Sequence, residues 1–288
     1  MTGTEKVGTD QFLLMFAGAA LFILVPLLIA IIWKVRKKER FTTILIGAAT
    51  FMVFAVILEK IIQNVIVFPT AMGLPDNPVS IFLSANPILL SIVAGLFPGV
   101  FEETGRLVAF RTVLRKRRNR ETAISYGIGH GGFEVMFILG TTFIEYIAFG
   151  LMINNGTFQT MMTASASEVS GQLQSSIDSL AYTVTSFSFN VFAISIVERV
   201  FAFLFHVGAS IIVFYAARDK KFWLYPLAIL LHTVMDTVAA LSIFKVIDIS
   251  SWALEAYVAA VGLLTFFGAY CLLYRRDREK PEEATGAL

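Results

Sequence analysis

Apolar runs long enough to cross a lipid bilayer recur along this chain, beginning with QFLLMFAGAALFILVPLLIAIIW at residues 11–33. A bilayer core takes about 20 helical residues. Hydrocarbon offers no partner to a free amide or carbonyl, so each run must close its hydrogen bonds inside a helix or within a closed barrel. Barrel strands need short segments of alternating polarity, and these runs do not alternate. The expectation is an all-α polytopic membrane protein with about seven transmembrane helices, near 12–33, 43–68, 81–110, 122–152, 182–217, 222–244 and 252–274. The chain is 57% hydrophobic and 15% charged, with 27 phenylalanines in 288 residues. So few charges cannot cover a water-soluble domain of that size. The lipid bilayer is the first partner this implies, and nothing asks for a nucleic acid.

The chain reads as one transmembrane domain, 1–288. Its first run lacks a leading basic region and a small-residue cleavage site, so it reads as a retained span rather than a signal peptide. Pro87 and the Pro98-Gly99 pair interrupt the third span, which is expected to break or kink at Pro98. A half-helix starting there would set Glu102 and Glu103 just past its positive end. Residues 153–181, rich in Ser, Thr and Gln, read as a polar, mobile exterior loop. A single cysteine, Cys271, excludes an intramolecular disulfide framework and a zinc-thiolate site.

Orientation follows from charge. The clusters KVRKKER (34–40), RTVLRKRRNR (111–120), RDKK (218–221) and RRDREK (275–280) hold 18 of the 23 lysines and arginines. All four fall on one side of a seven-span arrangement, and only Lys6 and Lys245 fall on the other. By the positive-inside rule the N-terminus is outside and the C-terminus cytoplasmic, in the cell's cytoplasmic membrane.

Within the spans lie Glu59, Lys60, Glu102, Glu103, Arg106, His130, Glu134, Glu145, Glu198, Arg199, His206, His232 and Asp236. Each charge at mid-membrane costs roughly 2.5–3.5 kcal/mol even on the lenient insertion scale, so a chain that keeps them pairs them or uses them. Glu59-Lys60 and Glu198-Arg199 read as structural pairs. Depth selects among the rest. Measured from the nearest basic cluster at the helical rise, Glu103 lies about 12 Å inward, His130 about 15 Å, His232 about 16 Å and His206 about 18 Å. Arg106 is shallower, and Glu134 and Asp236 are one turn deeper. Four helices thus bring acids or imidazoles, with all 3 histidines of the chain, to one layer. Glu102 and Arg106, His130 and Glu134, and His232 and Asp236 share i, i+4 spacing, so each pair can meet on a helix face. A carboxylate so placed would fix an imidazole's tautomer. Glycines 127, 129, 131 and 132 around His130 would let a neighbouring backbone approach closely.

Carboxylates beside imidazoles, with no serine or cysteine nucleophile in evidence, suggest water activated by a glutamate as general base. The developing oxyanion would be stabilised by histidine or by a metal ion. His130, His206 and His232 with an open fourth position suit a divalent metal, zinc foremost. The HExxH signature is absent, and a metal-free hydrolase suits the same residues. Buried acids and imidazoles also serve proton-coupled transporters, and a non-catalytic membrane scaffold is the third class.

The ordered set Glu102-Glu103-x-x-Arg106, YGIGH ending at His130, Glu134, His206 and His232-x-x-x-Asp236 resembles the YhfC family of intramembrane proteases. The resemblance covers about 97–240. It extends to the wider clan of PrsW and of CAAX-prenyl and bacteriocin-processing membrane proteases. Two residues, Thr104 and Gly105, separate the glutamates from Arg106 where the CAAX branch has three, so the YhfC and PrsW side is the better match. The resemblance implies hydrolysis of a peptide bond of a membrane protein or peptide, in or near the cytoplasmic half of the membrane. It implies Glu102 as the base, Glu103 and Arg106 as its positioning partners, and His130 and His232 on the metal or the oxyanion. His206 would be a further ligand and Asp236 an orienter.

Overall fold

The computed structural model describes residues 6–164 and 171–279, and among them there is no β-strand. Seven helices are long and apolar enough to cross a membrane: Thr9–Lys37, Phe41–Ile66, Pro87–Arg111, Glu121–Asn154, Phe189–Arg218, Leu224–Ile243 and Ser251–Asp277. They are called the first to seventh spans below. The second, fourth and seventh each contain a π-helical stretch, at Met52–Glu59, Met136–Gly140 and Tyr270–Tyr274. Large apolar side chains stand exposed along the spans, among them Leu264 at 74% and Val35 at 69%. A soluble protein does not expose apolar surface on this scale, whereas lipid solvates it.

Packing separates two compact units. The first takes residues up to Leu28 together with Val135–Val197. In it Phe143 is buried against the first span, where Gly18 leaves room for the ring. Asn154 ties down the chain before the first span: its Oδ1 accepts from Val7 N at 2.9 Å and its Nδ2 donates to Val7 O at 2.9 Å. Residues 153–181, expected as a mobile loop, instead contain the helices Thr157–Ala164 and Gly171–Thr185, with 165–170 outside the described residues. Ala181 and Val184 near the end of the second of these helices, and Phe187 just beyond it, are buried.

The second unit takes Ile29–Glu134 and everything from Glu198 onward, and it holds every candidate site residue. The portion of the fifth span from Phe205 to Ala216 is buried throughout and forms its centre. The third span does not break at Pro98. It runs unbroken from Pro87 to Arg111, and the interruption lies earlier, at Asn86, where Pro87 occupies the first helical turn. Before that break a short helix, Pro78–Ser84, is capped by Asn77, whose side chain accepts from Val79 N and Ser80 N at 2.9 and 3.0 Å. Proline inside a membrane helix survives where neighbouring helices support the opened backbone. Here Gly95 and Gly99 flank Pro98 and lie against Thr233, Thr237 and the Ile229 carbonyl of the sixth span. Glu102 and Glu103 are therefore mid-helix residues, and the expected boost from a helix N-terminus does not apply to them.

A second close crossing joins the second and fourth spans. A Cβ on Gly129 would stand 1.9 Å from Ile44 O, and one on Gly47 would stand 2.2 Å from Tyr126 O. The glycines beside His130 do admit a neighbouring backbone. Gly129→Val is expected to destabilise the protein by at least about 1–3 kcal/mol, because the obstructing atoms are main chain. Gly268, which has open space around its Cα, provides the control: Gly268→Ala is expected to be neutral or stabilising by up to about 1 kcal/mol. Thermal denaturation in detergent measures both.

Candidate active site

The third span sets the frame. Three residues after Glu103, Arg106 returns on the same helix face and its Nη1 donates to Glu103 Oε1. Nη2 of the same guanidinium lies 3.6 Å from Glu102 Oε2 and 2.6 Å from His206 Nδ1. Glu103 and Arg106 are wholly inaccessible. One cation thus joins two acids of its own helix to an imidazole of the fifth span.

The other helices close round this frame. His130 of the fourth span places Nε2 at 2.8 Å from Glu102 Oε2. His232 of the sixth span places Nδ1 at 2.8 Å from Glu103 Oε1 and Nε2 at 3.4 Å from Asp236 Oδ2. Ring centres of His130 and His206 are 5.2 Å apart, and those of His206 and His232 are 5.4 Å apart. Phe51 stands edge-on to His130, and Phe205 to His206 and His232, so aromatic surface walls the imidazoles.

Donor and acceptor roles follow from chemistry. A guanidinium only donates, so His206 Nδ1 accepts from Arg106 and Nε2 carries the proton. That proton faces Glu134 Oε2. Glu134 Oε1 in turn accepts from Arg199 Nη1 at 2.9 Å, and Arg199 also pairs with Glu198. The i, i+4 pairing of His130 with Glu134 does not form. Their side chains diverge, His130 toward the third span and Glu134 toward the fifth. Of the three expected i, i+4 pairs, His232 with Asp236 and the longer Glu102–Arg106 contact are present, while the tighter partner of Arg106 is Glu103.

Arg199, read from the sequence as a local partner of Glu198, reaches the site through Glu134. The available signal was spacing, since Arg199 lies seven residues, two helical turns, before His206 on one face. Glu255 of the seventh span, absent from the sequence reading of the site, is buried with Oε2 unpartnered. Five further polar atoms of the cluster lack hydrogen-bond partners among the described residues: Glu103 Oε2, Arg106 Nε, His130 Nδ1, Arg199 Nε and Glu134 Oε2, the last an ion-pair neighbour of His206 Nε2.

The donor types suit a divalent cation, which would bind His206 only in exchange for the Nε2 proton or for the Nδ1 contact with Arg106, since both nitrogens are otherwise occupied. Glu102, His206 and His232 each offer one donor atom within 4.8 Å of the others. Two imidazoles and a carboxylate are a protein ligand set of catalytic zinc centres. This trio differs from the three imidazoles expected, because His130 Nε2 faces Glu102. Charge points the same way. Glu102, Glu103, Glu134, Glu198 and Asp236 share two guanidiniums, Arg106 and Arg199, so ionised carboxylates outnumber guanidiniums by three, an excess that protons on the neighbouring imidazoles or carboxyls, or a cation, would offset.

Removing Arg199 tests the outer link. Arg199→Met is expected to cost about 3 kcal/mol, since it strands a buried carboxylate. Adding Glu134→Gln is expected to restore about 1–2 kcal/mol of that loss, a coupling that double-mutant thermal denaturation reads directly.

A sequence model of the YhfC intramembrane metalloprotease family matches residues 21–259. The protein is 27% identical over 256 residues to the uncharacterized membrane protein YhfC of Bacillus subtilis (strain 168), an alignment covering 88% of this chain and 93% of that one. No solved structure matches. With its seven apolar spans and the family match running through all the residues of the buried cluster, the chain belongs to the YhfC intramembrane metalloprotease family.

Proposed function

We propose that this protein is an intramembrane protease that hydrolyses a peptide bond of a membrane protein or peptide, in the cytoplasmic half of the cytoplasmic membrane. The carrying observation is the convergence of Glu102, Glu103, Arg106, His130, His206 and His232 in one buried cluster. The basic ends of the spans face the cytoplasm and the N-terminus faces outward, in keeping with the charge asymmetry.

Glu102 is the base. It retains 6% exposure where Glu103 has none, so of the two it is the one a water can approach. Glu102 takes a proton from water as the oxygen attacks the peptide carbonyl, then delivers that proton to the leaving amine as the C–N bond breaks. His130, donating from Nε2, holds the Glu102 carboxylate in place. Arg106 keeps Glu103 and Glu102 side by side, and Glu103 fixes His232 through Nδ1. Asp236 steadies the far side of that ring, and Glu134 with Arg199 does so for His206.

A divalent ion, zinc being the natural candidate, would be held by Glu102, His206 and His232. When bound it supplies Lewis acidity to polarise the carbonyl and acidify water. Glu102 has two oxygens, so lending one to an ion leaves the other for the proton.

Purified protein in detergent or liposomes is expected to cleave a membrane-anchored peptide. Glu102→Gln is expected to lower the rate at least about 100-fold, the usual scale for removing a general base. Glu103→Gln is expected to lower it too and to destabilise the fold through the stranded Arg106. Elemental analysis is expected to find one metal ion per chain, lost in His232→Ala. Folded Glu102→Gln protein with unchanged cleavage refutes the assignment of the base. If the variant instead loses solute or proton flux in liposomes, the transport reading replaces it.

A further inference from the structure

We propose that the connectors at the basic ends of the first four spans form a binding site for the phosphoryl headgroup of an anionic phospholipid. A cavity of about 660 Å³ opens between residues 38–40, which join the first and second spans, and residues 112–119, which join the third and fourth. Its wall carries Lys38, Arg40, Arg115, Lys116 and Arg117. The one acid there, Glu39, accepts from Asn119. Arg117 is turned to Thr42 and Thr43. The side chains of Lys38, Arg40, Arg115 and Lys116 have no carboxylate partner among the described residues.

Cationic span ends alone do not explain this. Elsewhere on the same face some cations are paired, Arg120 with Glu121 and Arg218 with Asp219 and Asp277, while Lys34, Lys37 and Arg111 lie over aromatic rings. What sets Lys38, Arg40, Arg115 and Lys116 apart is that they converge on one cavity. Basic pockets between membrane helices hold anionic headgroups by Coulomb attraction and charge-assisted hydrogen bonds. The site sits where the spans end, at the level of headgroups rather than in bulk water. Val113, 67% exposed in its wall, and Phe41, 38% exposed at the head of the second span, offer apolar surface to acyl chains. Free phosphate has the same charge but no use for that surface.

The proposal rests on the membrane orientation given above and not on hydrolysis. The test reconstitutes the full chain in nanodiscs of phosphatidylcholine with phosphatidylglycerol and reads retained lipid by native mass spectrometry. The wild type is expected to retain phosphatidylglycerol selectively and to melt at a higher temperature with it than in phosphatidylcholine alone. Arg115→Gln/Lys116→Gln is expected to lose the selectivity by about tenfold or more. Lys220→Gln/Lys221→Gln, which removes equal charge from another connector on the same face, is expected to keep it. Equal loss in both double variants makes the effect one of overall surface charge and overturns the site, as does a wild type without selectivity. Stabilisation by millimolar inorganic phosphate in detergent that matches the lipid effect assigns a soluble anion and overturns the headgroup.

Discussion

A guanidinium buried within a membrane helix is tolerable only if its charge is answered at once and most of its donors are used. Arg106 meets that demand by binding Glu103 one turn back, standing near Glu102, and donating to His206. Everything at the centre follows from this. The orientation of Glu103 decides where His232 docks, and the acceptor role forced on His206 Nδ1 decides that its other nitrogen faces Glu134. Glu134 is then buried with a negative charge of its own and requires Arg199. The site is a chain of obligations, each partner making the next one necessary.

Such a chain needs its helices held at fixed separations, and small residues provide that. Gly95 and Gly99 bring the third span against Thr233 and Thr237 of the sixth, so that Glu103 and His232 meet across two nearly touching backbones. Gly129 and Gly47 do the same for the fourth and second spans, next to His130. Helices in lipid associate through close packing and polar contact, since burial of apolar surface offers little advantage there. Polar charge pairs and glycine crossings are thus complementary: the crossings set the distance and the charges reward it.

Much of this was legible in the residues. Run length located five of the seven spans to within about four residues, because hydrocarbon thickness leaves little freedom, while the third and fifth start six and seven residues later than expected. Depth arithmetic placed Glu103, His130, His206 and His232 at similar depth, and the structure brings their side chains into one cluster. Rotation about each helix axis was not legible. His130 and Glu134 share a face by spacing, yet one is drawn to the third span and the other to the fifth, and only the packing angles decide that. Pro98 drew the expectation of a break because proline is the strongest local signal, while the glycines beside it were the better guide to what the span does. The helix at Gly171–Thr185 was hidden by its polar composition, since among its described side chains only Ala181 and Val184 are buried.

The compact grouping of Glu102, Glu103 and Arg106 has a consequence for how the protein is made. A nascent span reaches the bilayer before the later ones have been translated, and it must cross the translocon without His206 or His232. Because Glu103 and Arg106 neutralise each other within a single turn, the third span carries most of its own counter-charge through that stage, with one acid, Glu102, left over. Separating the same residues onto different helices would leave each to be inserted as a bare charge, so the local spacing that organises the finished centre also makes its synthesis feasible.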